Sequence, residues 1–249
     1  MKPAFAAATA AAMTAFLAAT ADAGISNHLV KVEATNASGT GEFVIDLSAG
    51  IPAAPGVTAF AGGFGAQILD TNTSALVATI TSLTGTYAEG DSNAINITFA
   101  LIAGASDTTF TITSGLLDFA TIDASNAAAR TSASYASTDS GSGDGAFITA
   151  GLPGGFGYEA YLNGTPSTGT VFAQLLGDDS VAGLNSAGDD ENFPETATGF
   201  SVSSASLTYS FTVGAGDQAS GTTTYVIVPA PGVAGVLLAG GVLTGRRRR

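Results

Sequence analysis

Large apolar residues alternate with small polar residues over several short stretches of the chain. In the three clearest stretches the large residues are Ile95, Ile97, Phe99 and Leu101; Phe43, Ile45 and Leu47; and Leu207, Tyr209, Phe211 and Val213. Successive side chains of a strand point to opposite faces, so a period of two places each set on one face of a sheet. The pattern therefore predicts half-buried β-strands.

Clusters of Gly, Ser, Ala and Asp separate these stretches, as at 103–107 and 214–217. They are short enough to join antiparallel neighbours, so 97–112 and 207–228 are each expected to form a hairpin. Helical periodicity is nearly absent, apart from one expected helical turn at 124–130. Many short strands with a Thr/Ser-rich surface predict a single all-β domain, either an antiparallel β-sandwich or a jelly roll.

One change of parity falls within a predicted strand. Phe200 and Val202 share one parity, whereas Leu207 and the large residues after it keep the other. A one-residue slip moves every following side chain to the opposite face of a sheet. A β-bulge or turn within 203–206 would place both sets in the core.

The N-terminal segment has the composition of an export signal. Lys2 provides a positive start, residues 4–21 are uncharged and rich in alanine, and Ala21 and Ala23 form a small-x-small pattern. Signal peptidase accepts such a pattern. Residues 1–23 are therefore expected to be a signal peptide and the mature chain to begin at Gly24, with a cut after Ala21 as the alternative.

The C-terminal segment, 229–249, combines a proline signature, an apolar run and a basic end. The signature is Pro229, Ala230 and Pro231, and the run from 232 to 245 is followed by Arg246, Arg247, Arg248 and Arg249. The run can enter a bilayer, whereas four guanidinium groups cannot cross it. At about 1.5 Å per residue it spans roughly 21 Å, less than the ~30 Å hydrocarbon core. It is therefore expected to dwell in a membrane only transiently.

This tail resembles the PEP-CTERM sorting signal of bacterial surface and matrix proteins. Ala230 stands where that signal usually has an acidic residue. The resemblance implies that an exosortase-like transpeptidase processes the chain near the triplet and that the product reaches the cell surface or extracellular matrix. The alternative is a simple C-terminal membrane anchor.

Composition limits what residues 24–228 can bind. Five of the 7 basic residues and one of the 20 acidic residues lie outside this body, which leaves Lys31 and Arg130 against 19 acids. Nucleic-acid binding through phosphate neutralisation is therefore not expected. Without cysteine the body has no disulfide and no thiolate site, and its one histidine, His28, argues against a Ser-His-Asp triad.

Carboxylates are numerous among residues 24–228, and such side chains can bind a metal ion or take part in catalysis. One predicted loop, 177–195, carries Asp178, Asp179, Asp189, Asp190 and Glu191. Hard Ca²⁺ prefers such oxygen ligands, so this loop is a candidate calcium site, with solvated turn acids as the alternative. The segments 139–145 and 70–74 are further, less complete candidates. No other cofactor is expected.

One predicted strand carries an acid between two tyrosines. Glu159 lies between Tyr158 and Tyr161, where an apolar setting would suit the general acid of a glycoside hydrolase. Alternatively, Glu159 points outward from a strand whose Phe156, Tyr158 and Leu162 face inward. Tyr158 and Tyr161 are also candidates for binding a sugar without cleaving it.

Two classes of function follow. The first is a non-enzymatic exported protein with a structural or adhesive role at the envelope surface or in the matrix, with extracellular polysaccharide as a candidate partner. The second is a carbohydrate-binding module or a carboxylate-dependent glycoside hydrolase with Ca²⁺-stabilised loops.

Overall fold

The structure is a computed structural model and describes residues 24–140 and 143–229. Antiparallel strands form nearly all of this part, together with one short 3₁₀ turn at Leu47–Ala49. The first eight strands are β1 (Gly24–Asn36), β2 (Gly39–Ile45), β3 (Ile51–Ala54), β4 (Val57–Gly62), β5 (Ala66–Leu69), β6 (Leu76–Ala88), β7 (Asn93–Ala103) and β8 (Thr108–Ile122). The others are β9 (Ala127–Thr138), β10 (Ala146–Ala150), β11 (Tyr158–Leu162), β12 (Thr170–Leu175), β13 (Asp179–Val181), β14 (Ser186–Ala197), β15 (Val202–Val213) and β16 (Gln218–Pro229).

These strands form two sheets packed face to face. Sheet A has the order β12-β11-β15-β8-β1-β2, and β10 also pairs with β15 and carries β13 beside it. Sheet B has the order β14-β9-β16-β7-β6-β4-β3, and β5 also pairs with β6. The all-β sandwich predicted from the sequence is therefore confirmed.

The core lies between the sheets and includes most of the large residues that the alternation identified. Ile95, Ile97, Phe99 and Leu101 of β7 are buried, as are Leu207, Tyr209, Phe211 and Val213 of β15. Their polar neighbours in sequence lie on the outer faces. Burying these large side chains is the main stabilising contribution to such a fold, at ~25 cal/mol per Å² of apolar surface.

The predicted irregularity in 203–206 is confirmed. The pairing of β15 with β8 changes register between Val202 and Ser204 and again between Ala205 and Thr208. Val202 is consequently buried together with Leu207, although their sequence parities differ. A bulge reconciles the two parities, as the change of pattern required.

The two predicted hairpins were wrong. The turn at 103–107 leads from β7 in sheet B to β8 in sheet A, and the turn at 214–217 leads from β15 in sheet A to β16 in sheet B. Each turn crosses between the sheets, so the strands it joins face each other across the core. A short turn makes the two strands it joins antiparallel. It does not determine whether they pair by hydrogen bonds within one sheet or pack against each other from two sheets.

Three local predictions also differ from the structure. Strand β2 ends at Ile45, and Leu47 lies exposed in the 3₁₀ turn instead of continuing the inward set. The segment predicted as a helical turn at 124–130 is a turn followed by β9, which begins at Ala127. The predicted acidic loop at 177–195 contains β13 and most of β14, because β14 extends sheet B beside β9.

Candidate functional site

The tyrosines predicted to bind a sugar are core residues. Tyr158 is 0% exposed and its hydroxyl lies 2.7 Å from Thr131 Oγ1, while the Thr223 hydroxyl donates to it at 3.1 Å. Tyr161 is 4% exposed. Neither ring offers a face to solvent on which a sugar could stack, so this prediction was wrong. All five residues of β11 are buried, so both of its faces are covered.

Glu159 is buried as well, and both of its carboxylate oxygens have donors. The Tyr161 hydroxyl donates to Oε2, and the Gln174 side chain donates to Oε1 at 2.7 Å. Burial and the adjacent carboxylate raise the pKa of Tyr161, which keeps the phenol protonated as a donor. Glu159 points to the face of β11 opposite Tyr158, yet it is enclosed there, at 5% exposed. In this arrangement Glu159 ties β11 to β12.

Four of the five predicted calcium ligands accept backbone N–H groups. Asp189 accepts from Gly177 and Glu191 from Leu176, each at 2.8 Å. Asp178 accepts from Ala150 at 2.7 Å, and Asp179 accepts from Ser180 and Gly188 at 2.8 and 2.7 Å. The fifth, Asp190, is exposed and lines a groove on the outer face of sheet B.

The structure brings these four acids together around one tyrosine. The Tyr135 hydroxyl donates to the Gly177 carbonyl at 2.6 Å, so it anchors the segment that the acids bind. Burial raises the pKa of Tyr135, and the negative charges of Asp189, Asp178, Glu191 and Asp179 raise it further. The acids thus hold residues 176–179 against β9 and β14. They do so as hydrogen-bond acceptors for backbone N–H groups.

In each of the other two candidate calcium segments, an aspartate accepts hydrogen bonds from nearby groups of the chain. Asp70 accepts from the Thr73 hydroxyl and amide, both at 2.7 Å, and from the amides of Thr40 and Asn72. Asp139 accepts from the amides of Gly143 and Gly145 at 3.3 and 3.1 Å. Across residues 24–140 and 143–229, no three His, Asp or Glu side chains lie close enough to share one metal ion.

A solvent-open groove runs along the outer face of sheet B over β9, β14 and β16. It consists of three adjoining depressions of ≈ 140, 440 and 470 Å³ that share lining residues. The side chains shared between adjacent depressions are Ser132, Ser134, Asp190, Asn192, Thr222 and Thr224. Hydroxyl and amide groups therefore dominate the groove, and they can both donate and accept hydrogen bonds.

Strand register arranges these groups in rows across five strands. One row runs Thr84, Thr98, Thr222, Ser134 and Asp190, and the next runs Thr86, Asn96, Thr224, Ser132 and Asn192. Neighbouring strands lie ~4.8 Å apart, so each row presents polar groups at a regular spacing. The Thr98 and Thr222 hydroxyls lie 3.0 Å apart, which holds their side chains in place.

The sequence analysis did not identify this groove. The sequence does contain a sign of it, because small polar residues occupy alternate positions of β7, β9 and β16. The sequence pattern does not give the order of the strands, however, and only that order places residues 98, 134 and 222 side by side.

Several predictions fall on residues outside the described part. The signal peptide with Ala21 and Ala23 and the tail from Ala230 onward, including Pro231 and the four arginines, lie there. Pro229 ends β16, opposite Ala127. Within residues 24–140 and 143–229 no helix is long and apolar enough to span a membrane.

Comparisons with known proteins identify no family. No protein-family model and no curated protein matches the chain. Among solved structures, the infectious bursal disease virus Gx strain aligns at 13% identity over 85% of this chain and 65% of that chain, with a TM-score of 0.20. The Gt strain aligns at 13% identity over 90% and 67%, with a TM-score of 0.18. Alignments with TM-scores this low support no argument about function.

Proposed function

We propose that this chain is a non-enzymatic exported protein with a structural or adhesive role at the cell surface or in the extracellular matrix, where it attaches to polysaccharide through the groove on sheet B. The observation that carries the proposal is the pair of rows of hydroxyl and amide groups along that groove. A neutral polysaccharide presents matching hydroxyl groups, and bridging water can complete such contacts.

The charge of the domain favours a neutral or cationic polymer over an anionic one. Asp190 and Asn192 lie on the exposed edge strand of the groove, and Asp190 can accept hydrogen bonds from sugar hydroxyls. Arg130 lines one end and lies 3.9 Å from Glu195. No tryptophan is present in the chain, so recognition would rest on hydrogen bonds more than on ring stacking. We therefore expect weak single-site binding that multivalent display strengthens.

Retention of the full chain on a panel of insoluble polysaccharides and a glycan array tests the proposal. The double variant Thr222→Val with Asn192→Ala removes a hydroxyl and an amide from the groove, and should lower retention several-fold. Thr212→Val is the matched control, because Thr212 pairs with Thr109 at 2.7 Å on the outer face of sheet A. Equal loss in both variants, or no retention of the wild type, would contradict the proposal.

Hydrolysis is the competing function, and the same protein tests it. A panel of chromogenic glycosides should show no turnover. If the chromogenic aglycone were released and Glu159→Gln abolished the release without unfolding the protein, the hydrolase hypothesis would replace the binding one. The buried carboxylate of Glu159, with a donor on each oxygen, supports a structural role instead.

Export and sorting are tested at the chain ends. We propose removal of residues 1–23 and processing near Pro229, Ala230 and Pro231 after transient membrane retention. Intact mass spectrometry of the exported protein should show a start at Gly24 and loss of 232–249. Recovery of a species that still ends in Arg249 would contradict this. Replacing the four arginines with serine should prevent retention before processing.

A further inference from the structure

The acceptor pattern for N-glycosylation, Asn-x-Ser/Thr with x other than proline, occurs four times in the chain. The asparagines of these four patterns are Asn36, Asn72, Asn96 and Asn163. A pattern this short arises often by chance in a chain rich in serine and threonine. The transferring enzyme must enclose the asparagine carboxamide and the backbone beside it, so the structure distinguishes an accessible acceptor from the others.

Two of the four asparagines belong to strands and use their carboxamides within the fold. Asn36 ends β1, and its Nδ2 donates to the Val77 carbonyl at 2.9 Å. Asn96 lies within β7, which pairs with β6 on one side and β16 on the other. Its Nδ2 donates to Thr86 Oγ1 at 3.0 Å. An enzyme could reach either carboxamide only after part of a sheet had opened.

Asn163 lies in a turn, but both ends of its carboxamide are engaged. Nδ2 donates to the Ser201 carbonyl at 2.7 Å, and Oδ1 accepts from the Ser203 amide at 2.9 Å. These bonds tie the turn that follows β11 to the beginning of β15. The carboxamide is therefore a structural link, and transfer of a sugar to Nδ2 requires that this link be broken.

Asn72 differs from the other three asparagines. It lies in the turn 71–74 between β5 and β6, and all four residues of this turn are exposed. The Asp70 carboxylate accepts the amides of Asn72 and Thr73 at 3.1 and 2.7 Å. The Asp70 carbonyl accepts the Ser74 amide at 2.9 Å. The turn therefore holds its own backbone, whereas no hydrogen bond within the described part of the chain engages the Asn72 carboxamide.

Two exposed leucines flank this turn. Leu69 and Leu76 pair with each other across β5 and β6 and are 42% and 43% exposed. Exposed apolar side chains favour association with other apolar surfaces. A bulky hydrophilic group on the turn between them would shield this pair.

We propose that Asn72 is an N-glycosylation site, which accepts a glycan from a polyprenyl-diphosphate-linked donor. The step forms a bond between Asn72 Nδ2 and the anomeric carbon of the first sugar. The bond from that carbon to the diphosphate oxygen breaks, the polyprenyl diphosphate leaves with the electron pair, and the amide nitrogen gives up one proton. The Ser74 hydroxyl completes the acceptor pattern. This inference rests on the proposed export, because such transfer acts on exported chains.

A glycan at Asn72 would be attached outside the groove on sheet B. Residues of β7, β9, β14 and β16 line that groove. The turn 71–74 instead follows β5, which pairs with β6. Glycosylation and polysaccharide binding therefore use separate surfaces and can be tested separately.

Glycosylation of the folded chain in solution tests the proposal without relying on export. The purified full chain is incubated with a polyprenyl-diphosphate-linked oligosaccharide and an oligosaccharyltransferase that requires only the Asn-x-Ser/Thr pattern, and mass spectrometry identifies the modified peptides. Asn72 should be modified about ten-fold or more faster than each of the other three asparagines, because their strands and turns must open first. Synthetic peptides that span the four patterns should all be modified, which separates the effect of the fold from that of the sequence.

Three variants make the result specific to this turn. Asn72→Gln and Ser74→Ala each destroy the acceptor pattern and should abolish modification there. Thr71→Ala changes an exposed residue of the same turn outside the pattern and should leave the modification unchanged. Equal modification of the folded chain at any of the other three asparagines would overturn the proposal. So would an unmodified Asn72 in a folded chain whose Asn72 peptide is modified.

Mass spectrometry of the exported protein from its own cells tests the modification where it would occur. A chain that begins at Gly24 should carry a glycan on Asn72, and the Asn72→Gln variant should lack it. A chain that begins at Gly24 with an unmodified Asn72 would overturn the glycosylation proposal and leave export standing. An unmodified chain that retains residues 1–23 would contradict export and glycosylation together.

Discussion

The ring of Phe211 stacks on the ring of Phe99 with centroids 5.6 Å apart and planes 16° from parallel. Phe211 belongs to β15 of sheet A and Phe99 to β7 of sheet B, so the pair joins the two sheets. Phe110 and Tyr135 surround Phe211 with ring centroids at 5.8 and 5.7 Å. This aromatic cluster is one of the contacts that fix the two layers of the sandwich to each other.

Phe211→Ala should lower the free energy of unfolding by about 3 to 5 kcal/mol, because it leaves a cavity in contact with three rings. Urea unfolding followed by circular dichroism measures this loss. Phe64→Ala is the matched control, since Phe64 is 71% exposed, and its effect should stay within about 0.5 kcal/mol. Similar losses in both variants would contradict the placement of Phe211 at the centre of the core.

Tyr158→Phe should cost about 1 to 3 kcal/mol of stability, because the buried hydroxyl of Thr131 loses its partner, whereas Thr223 can still donate to the Ser132 carbonyl. Polysaccharide retention should not change, since the Tyr158 ring is enclosed. Denaturant unfolding and retention assays on one preparation measure both properties. A variant with normal stability and impaired retention would restore Tyr158 as a sugar-binding residue.

Asp70 should contribute to stability in a defined acidic range. Hydrogen bonds from Thr73, first from its hydroxyl and then from its amide, lower the pKa of Asp70 from 3.8 to about 2. A carboxyl with a lowered folded-state pKa stabilises the fold above its unfolded pKa, and that contribution is lost as the pH falls toward the folded value. The Tm should therefore fall between pH 4 and 2, and less steeply in Asp70→Asn. Asp91→Asn, which alters an exposed acid, should retain the wild-type slope.

Asp189→Ala and Glu191→Ala should loosen residues 176–179, because each variant removes the acceptor of one backbone amide. Hydrogen exchange at the Leu176 and Gly177 amides should accelerate about five-fold, in line with a hydrogen bond worth about 1 kcal/mol. Asp190→Ala is the control, because Asp190 lies in the groove on sheet B. If Asp190→Ala has the same effect, net charge and not hydrogen bonding holds this segment.

Strand content and the inward residues could be predicted because both depend on local order along the chain. Ile95 to Leu101 and Leu207 to Val213 show the period of two that a half-buried strand requires, and the parity change before Leu207 signalled its bulge. Local information did not decide whether a short turn makes a hairpin or crosses the core. The Gly, Ser, Ala and Asp residues of the turns at 103–107 and 214–217 suit a hairpin and a connection between sheets equally well. Only the packing of the two sheets selects the connection between sheets.

The candidate sites follow the same division. The sequence by itself determined that residues 24–228 would be an acidic all-β domain with few cations, since composition and periodicity suffice for that. Only the tertiary structure decided that Glu159 is enclosed, that Asp189 and Glu191 bind amides, and that Thr98, Ser134 and Thr222 form one row. The physical reason is that strand order and sheet stacking depend on the total burial of apolar surface, and this is a property of the whole chain that no local pattern encodes.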